Sequence, residues 1–231
     1  MQKADVRPGG YVATGGHGGI IGRIGHPGPP QFTFKTIKRH TYNSAVNLTQ
    51  LPREVHGSKV QGSKVTTISV PIKDAEGNLL STAIPKVSIV KHARYLPEDH
   101  SGDAAAEIDI LARIENNLRQ APLAGFVAEG SAPFGAMSNS VDAALKRATF
   151  CGMPFVKVGR GNAAGFVEQA RNPLSIAGSN LTSTKARLLL MACLMKLGAL
   201  PPAVDPANPT PDEVKAVETK LDQYREVFNT H

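Results

Sequence analysis

The sequence predicts an α/β fold: a small parallel sheet of about four strands flanked by helices from Val87 to the end, preceded by a strand- and hairpin-rich N-terminal arm. Three observations predict it. From Val87 onward, short apolar runs alternate with longer segments of helical period, the pattern of βαβ units. Gly or Pro falls where each chain reversal is needed. The first 86 residues carry no stretch of helical period and little apolar surface, so they divide from residues 87–231 and cannot build a core of their own.

The first strand is Val87-Ser88-Ile89-Val90, entered by Pro85. A helix is expected over Asp103 to Gln120, with Ile108, Leu111, Ile114 and Leu118 recurring at three- and four-residue spacing on one face. Ala124 to Ala128 is the second strand. It runs into a Gly-rich turn, Gly130 to Gly135, and then a helix from about Ser138, with Val141, Ala144, Leu145 and Ala148 inward and Gly152 at its end. Pro154 to Val158 gives a third strand and Leu174 to Ala177 a fourth. The helix from about Thr184 to Leu197 is expected to pack Leu188, Leu189, Ala192 and Met195, and Gly198, Pro201 and Pro202 stop it. Thr210-Pro211-Asp212-Glu213 then reads as a capping box opening a last helix, whose Val214, Val217, Leu221, Tyr224 and Phe228 form an apolar stripe.

In the arm, Gly and Pro crowd positions 8 to 30, and Gln31 to Ile37 alternates weakly. Val65 to Ile72 and Leu79 to Ala83 flank Asp74-Ala75-Glu76-Gly77-Asn78 as the two strands of a hairpin would. This segment must lean on the sheet or on another polypeptide.

Composition and charge exclude several classes. No run approaches the roughly 18 apolar residues that span a bilayer, so no membrane role is expected. The start of the chain has no apolar stretch of the secretory kind, which points to the cytoplasm. Cys151 and Cys193 sit in apolar surroundings and read as reduced, buried thiols. The net charge of +7 comes from the first 100 residues, with 13 Lys and Arg against six Asp and Glu, while the rest has 13 of each. Lys35, Lys38, Arg39 and His40 cluster there, yet no zinc-finger, RNA-recognition or helix-turn-helix pattern accompanies them, so no nucleic-acid partner is expected. His17, His26, His40, His56, His92 and His100 are scattered among loops without metal-site spacing, and Gly15-Gly16-His17-Gly18-Gly19 lacks the Lys-Ser/Thr ending of a phosphate loop.

Several segments share an order with a known family. Gly18 to Pro52 contains a Gly-rich turn leading to His40-Thr41, and Ile84-Pro85-Lys86-Val87-Ser88-Ile89-Val90 has the form of an entry into the first strand of a small domain. Ala124 to Gly130 precedes a Gly-rich loop, Gly152-Met153-Pro154-Phe155-Val156 follows it, and Arg160 with Gly165 comes next. Most specific is Leu181-Thr182-Ser183-Thr184-Lys185-Ala186-Arg187, followed by an apolar helix. Together they resemble the bacterial-type L-asparaginases from the end of the large domain through the C-terminal domain. Thr182 and Ser183 depart from the family's Asn-Pro. The resemblance implies that residues 1–86 are a remnant of the large-domain end and interdomain linker, with an insertion at about Arg53 to Ala83, and that 87–231 are the C-terminal domain.

It also implies an amidohydrolase acting on asparagine, or on glutamine, without metal or organic cofactor. The family's nucleophilic Thr, its Thr-Asp-Lys activating set and its oxyanion site lie in the large domain. No Thr-Asp-Thr occurs in this chain, so the chain alone is expected to be inactive. Thr14 in Val12-Ala13-Thr14-Gly15-Gly16 resembles the family's Thr-Gly-Gly-Thr nucleophile motif, but His17 replaces the second Thr and Arg7-Pro8-Gly9-Gly10 is no supporting strand. By the same resemblance, the loop after the second strand reaches a neighbouring subunit's substrate through an Asn. Here that loop is Gly130 to Met137 without an Asn, so either the substrate contact shifts to Ser131 or Asn139 or the contribution is lost and the loop is a plain strand-to-helix turn; Glu168 is the acidic candidate. Relatives are dimers or tetramers, so a homo-oligomer is expected. The rival reading is a non-catalytic α/β module that binds a small ligand or a protein at the carboxyl ends of its strands.

Overall fold

The computed structural model describes residues 44–62, 64–92, 102–131, 135–159, 173–179 and 181–231, together with the backbone of 22–24 and 30–32. Two short strands, β1 (Gly22–Ile24) and β2 (Pro30–Phe32), pair antiparallel. Next comes a hairpin of β3 (Glu54–Gln61) and β4 (Lys64–Pro71), in register from Glu54 opposite Pro71 to Gln61 opposite Lys64. The remainder alternates: β5 (Lys86–Lys91), α1 (Ile108–Gln120), β6 (Ala124–Gly130), α2 (Asn139–Phe150), β7 (Phe155–Gly159), β8 (Ile176–Ala177), α3 (Ser183–Leu197) and α4 (Pro211–Thr230). Strands β5, β6, β7 and β8 form one parallel sheet in that order.

Strand order equal to chain order places successive right-handed crossovers on one face of the sheet. Accordingly α1 and α2 cover the face that carries Ala124, Phe126, Ala128 and Phe155, while α3 and α4 cover the face of Val87, Val127, Val156, Val158 and Ile176. Alternate residues of β6 and β7 thus enter two separate cores. Both faces being buried, these strands read as nearly continuous apolar runs rather than as alternating ones.

The helix ends follow from their sequences. Ser138, Thr182 and Thr210 each accept a hydrogen bond from the backbone N–H three residues on, capping α2, α3 and α4. At α4 the Glu213 carboxylate answers by accepting from the Thr210 backbone at 2.7 Å, and Pro211 takes the first helical position. This is the expected capping box.

Three details differ from the sequence reading. The hairpin turns at Gly62, not across Asp74 to Asn78; there the chain makes only a local reversal closed by one bridge between Lys73 and Leu79, and Ser81–Ala83 is a 3-10 turn rather than a strand. Asp74 accounts for the misleading signal, since its side chain accepts from the Asn78 backbone at 2.7 Å and from the Asn78 amide at 3.1 Å, a self-contained turn. In the first helix the buried stripe is Ile110, Ile114, Asn117 and Leu118; Ile108 is 75% exposed, because residues 104–106 form a separate 3-10 turn and the helix begins at Ile108 itself. In α3 the buried stripe is Ala186, Leu190, Cys193 and Leu194, with Leu188 64% exposed; Leu189, Ala192 and Met195 are half-buried at its margins. A helix apolar around most of its circumference offers several stripes of equal period.

The hairpin seals the amino end of the sheet. Ser58 N–H donates to the Pro122 carbonyl ahead of β6 at 2.8 Å, and Ala199 N–H, just past α3, donates to the His56 carbonyl at 2.7 Å. Val55, Ile68 and Val70 join the core under α3 and α4, while Val60 and Val65 join the core under α1 and α2. The segment from Ser44 follows the same surface: Ala45 N–H donates to the Glu226 carboxylate at 2.5 Å, and Lys196 Nζ to the Gln50 carbonyl at 2.5 Å. Of the two supports open to the arm, residues 44–86 therefore use the sheet. Cys151 and Cys193 are free and buried, as expected. Among the described residues no helix is long and apolar enough to cross a membrane.

Candidate functional site

At the opposite, carboxyl end of the sheet, β5, β6, β7 and β8 deliver His92, Ser131, Gly159 and Gly178. Ser131 N–H donates to the Ala136 carbonyl at 2.9 Å, and the Ser131 carbonyl accepts from Gly135 N–H at 2.8 Å and from Ala136 N–H at 3.2 Å. The loop therefore folds back on the strand end at once. Only glycine permits this at position 130, since a Cβ there would overlap the backbone of Gly135 and the carbonyl of Ala136.

The fold-back delivers the chain to α2. Ser138 caps it, Asn139 is its first residue and is exposed, and Ser140 is buried, donating from Oγ to the Glu107 carboxylate at 2.9 Å. That bond ties the turn before α1 to the first turn of α2. Asp142, in the same turn, forms an ion pair with Lys157 of β7 and a second with Lys146 at 3.5 Å. With side chains 24% and 17% exposed, Asp142 and Lys157 pin the helix start to the sheet, and a carboxylate there also suits the positive end of the helix. Sequence reasoning missed both pairs. Glu107 and Ser140, like Asp142 and Lys157, belong to different elements, so no local spacing marks them.

Of the residues singled out from the sequence, the structure thus brings Ser131 and Asn139 to one rim, at the two ends of the β6–α2 connection. Ser131 is half-buried and Asn139 exposed. Thr14 and Glu168 lie outside the described residues, as do His40-Thr41, Arg160 and Gly165. Among the described residues no group of three His, Cys, Asp or Glu side chains could hold a metal ion.

No known protein family matches the chain, and no curated protein is similar enough to count as a relative. The site is accordingly judged on its own chemistry. The rim supplies hydrogen-bonding groups, and the hydroxyl there that is paired with a carboxylate, Ser140 with Glu107, is buried away from an incoming substrate. The thiols are no substitute: burial pushes Cys151 up to about 11, against a weaker opposing pull from Arg147, and raises Cys193 further. Tyr224 is likewise raised, by burial first and by Cys193 second, and its hydroxyl is engaged by the Gly198 carbonyl inside the core.

A cavity of about 340 Å³ opens at the opposite, amino end of the molecule, between the hairpin, the Leu197 to Pro201 segment and α4. None of the candidate residues lines it.

Proposed function

We propose that this chain is the small α/β domain of an asparaginase-type amidohydrolase, contributing binding groups to a reaction whose nucleophile belongs to a separate large domain. One observation carries the reading: the β6–α2 connection, which the resemblance makes the substrate-contacting loop, sits at the carboxyl rim of a sequentially ordered parallel sheet. The resemblance of Leu181 to Leu190 to the family's most specific segment, with Thr182 and Ser183 in place of its Asn-Pro, supports it; Thr182 here caps α3 and Ala186 is buried.

In this reading a Thr of the large domain attacks the side-chain amide of asparagine, or of glutamine, and ammonia leaves from the tetrahedral intermediate. Ser131 and Asn139 hydrogen-bond the substrate's invariant polar groups and hold the amide in line, a positioning role. A homo-oligomer belongs to the same reading, because each small domain then serves a neighbouring copy. A cytoplasmic location belongs to the same reading.

The test is complementation. The purified chain is mixed with the separately produced large domain of a bacterial-type L-asparaginase, and ammonia release from asparagine is followed. The expected result is release by the mixture, none by the chain alone, and roughly a tenfold loss with Asn139→Ala or Ser131→Ala, the scale of one hydrogen bond to a charged group. A mixture no more active than the large domain by itself would leave the non-catalytic binding module as the better account.

A further inference from the structure

We propose that the cavity at the amino end of the sheet is a binding site for a small aromatic carboxylate, with the Lys220 ammonium as its charge partner. The site does not rest on the amidohydrolase reading, since it lies at the other end of the sheet from Ser131 and Asn139. Its walls are apolar: Leu197, Ala199, Leu200 and Pro201 on one side, Gly57 of β3 on another, and Ala216 of α4 at the mouth. At about 340 Å³ it is near the lower end of the range for small-molecule pockets, roughly 300–1,000 Å³, and so matches a single ring with a short acid chain.

Its polar lining is His56, Thr67, Thr219, Lys220 and Gln223, and among the described residues the Lys220 ammonium has no carboxylate partner. Positions three and four residues from Lys220 on α4 are Ala216, Val217, Gln223 and Tyr224, none of them acidic. The described partner of Lys220 Nζ is the neutral Gln223 Oε1, at 3.0 Å. Across the cavity the hairpin offers His56 and Thr67, again without a carboxylate. Burial alone lowers the Lys220 ionisation equilibrium, the direction expected of an ammonium partly stripped of water and uncompensated. An entering carboxylate supplies the missing counter-charge, and its ring replaces water over the Leu200 and Pro201 surface.

The experiment titrates the full chain with 3-phenylpropionate and, separately, with its neutral isostere 3-phenylpropanamide, following backbone amide resonances. The expected result is saturable shifts at Ala199, Leu200 and Lys220 with the acid, and about tenfold weaker binding of the amide. Lys220→Gln should bring the acid down to the level of the amide while leaving the amide unchanged; Lys215→Gln, on an exposed part of the same helix, should do neither. Ala216→Phe, placed at the mouth on an exposed helical position, should abolish both. Equal affinity for acid and amide, indifference to Lys220→Gln, or the absence of saturable shifts at these residues would overturn the site.

Discussion

Gly152 shows how much one residue can decide. It follows the end of α2 with φ at +88°, and a Cβ there would overlap the Ser58 hydroxyl of the hairpin. Gly77 has φ at +92° and open space around it. Alanine at Gly77 should therefore cost only the left-handed backbone term, about 1–2 kcal/mol. Alanine at Gly152 should add an overpacking term of about 1–3 kcal/mol. Urea denaturation of the two variants reads the difference, and equal losses would mean that the hairpin does not press on the sheet at that point. The thiols give a second residue-scale test. Cys151 is held up to about 11 and Cys193 is raised further, so both bind their protons more tightly when folded. Stability should accordingly hold below about pH 9 and fall as pH rises through about 11, as the unfolded chain ionises first. A thiol-specific dye at pH 8 should find both cysteines unreactive until denaturant is added.

At the scale of elements, legibility tracked how local the signal was. The capping box of α4 could be read from Thr210 and Glu213 because its two bonds close within four residues, and Thr210→Ala should cost about 1 kcal/mol. That loss corresponds to a fall of about 2–4 °C in Tm, visible by circular dichroism. Glu213 is held below its ordinary value by hydrogen bonds from Val204 N–H first and then from Thr210, so this contribution should disappear as pH falls below about 4.5. Strands β5, β6 and β7 were legible as apolar runs bounded by turns. Of the hairpin, β4 was legible as Val65 to Ile72, but its partner was not: Glu54–Gln61 buries Gly57 and Ser58, which carry no hydrophobic signal, while Asp74 to Asn78 carries a turn signal of its own. The buried face of α3 was ambiguous for the opposite reason, too many apolar residues. At the rim, Ser131 and Asn139 could be named only through a resemblance, whereas the support beneath them, Glu107 with Ser140 and Asp142 with Lys157, exists only once helices and sheet have met.

On the scale of the whole molecule, the two ends of the sheet have different chemistry. The carboxyl end carries the backbone fold-back of Ser131 onto Gly135 and Ala136. The amino end is closed by residues that precede the sheet in the chain, and that closure leaves the Lys220 cavity beside it. The composite origin of the cavity, from hairpin, linker and last helix, explains why no stretch of sequence announced it.

The same closure fixes an order of assembly. The amides of Ser58 and Ala199 find their acceptors, Pro122 and His56, only across long intervals of chain, so the hairpin's contact with the end of α3 forms only after that helix has been made. The first half of this protein is thus completed by contacts from the last.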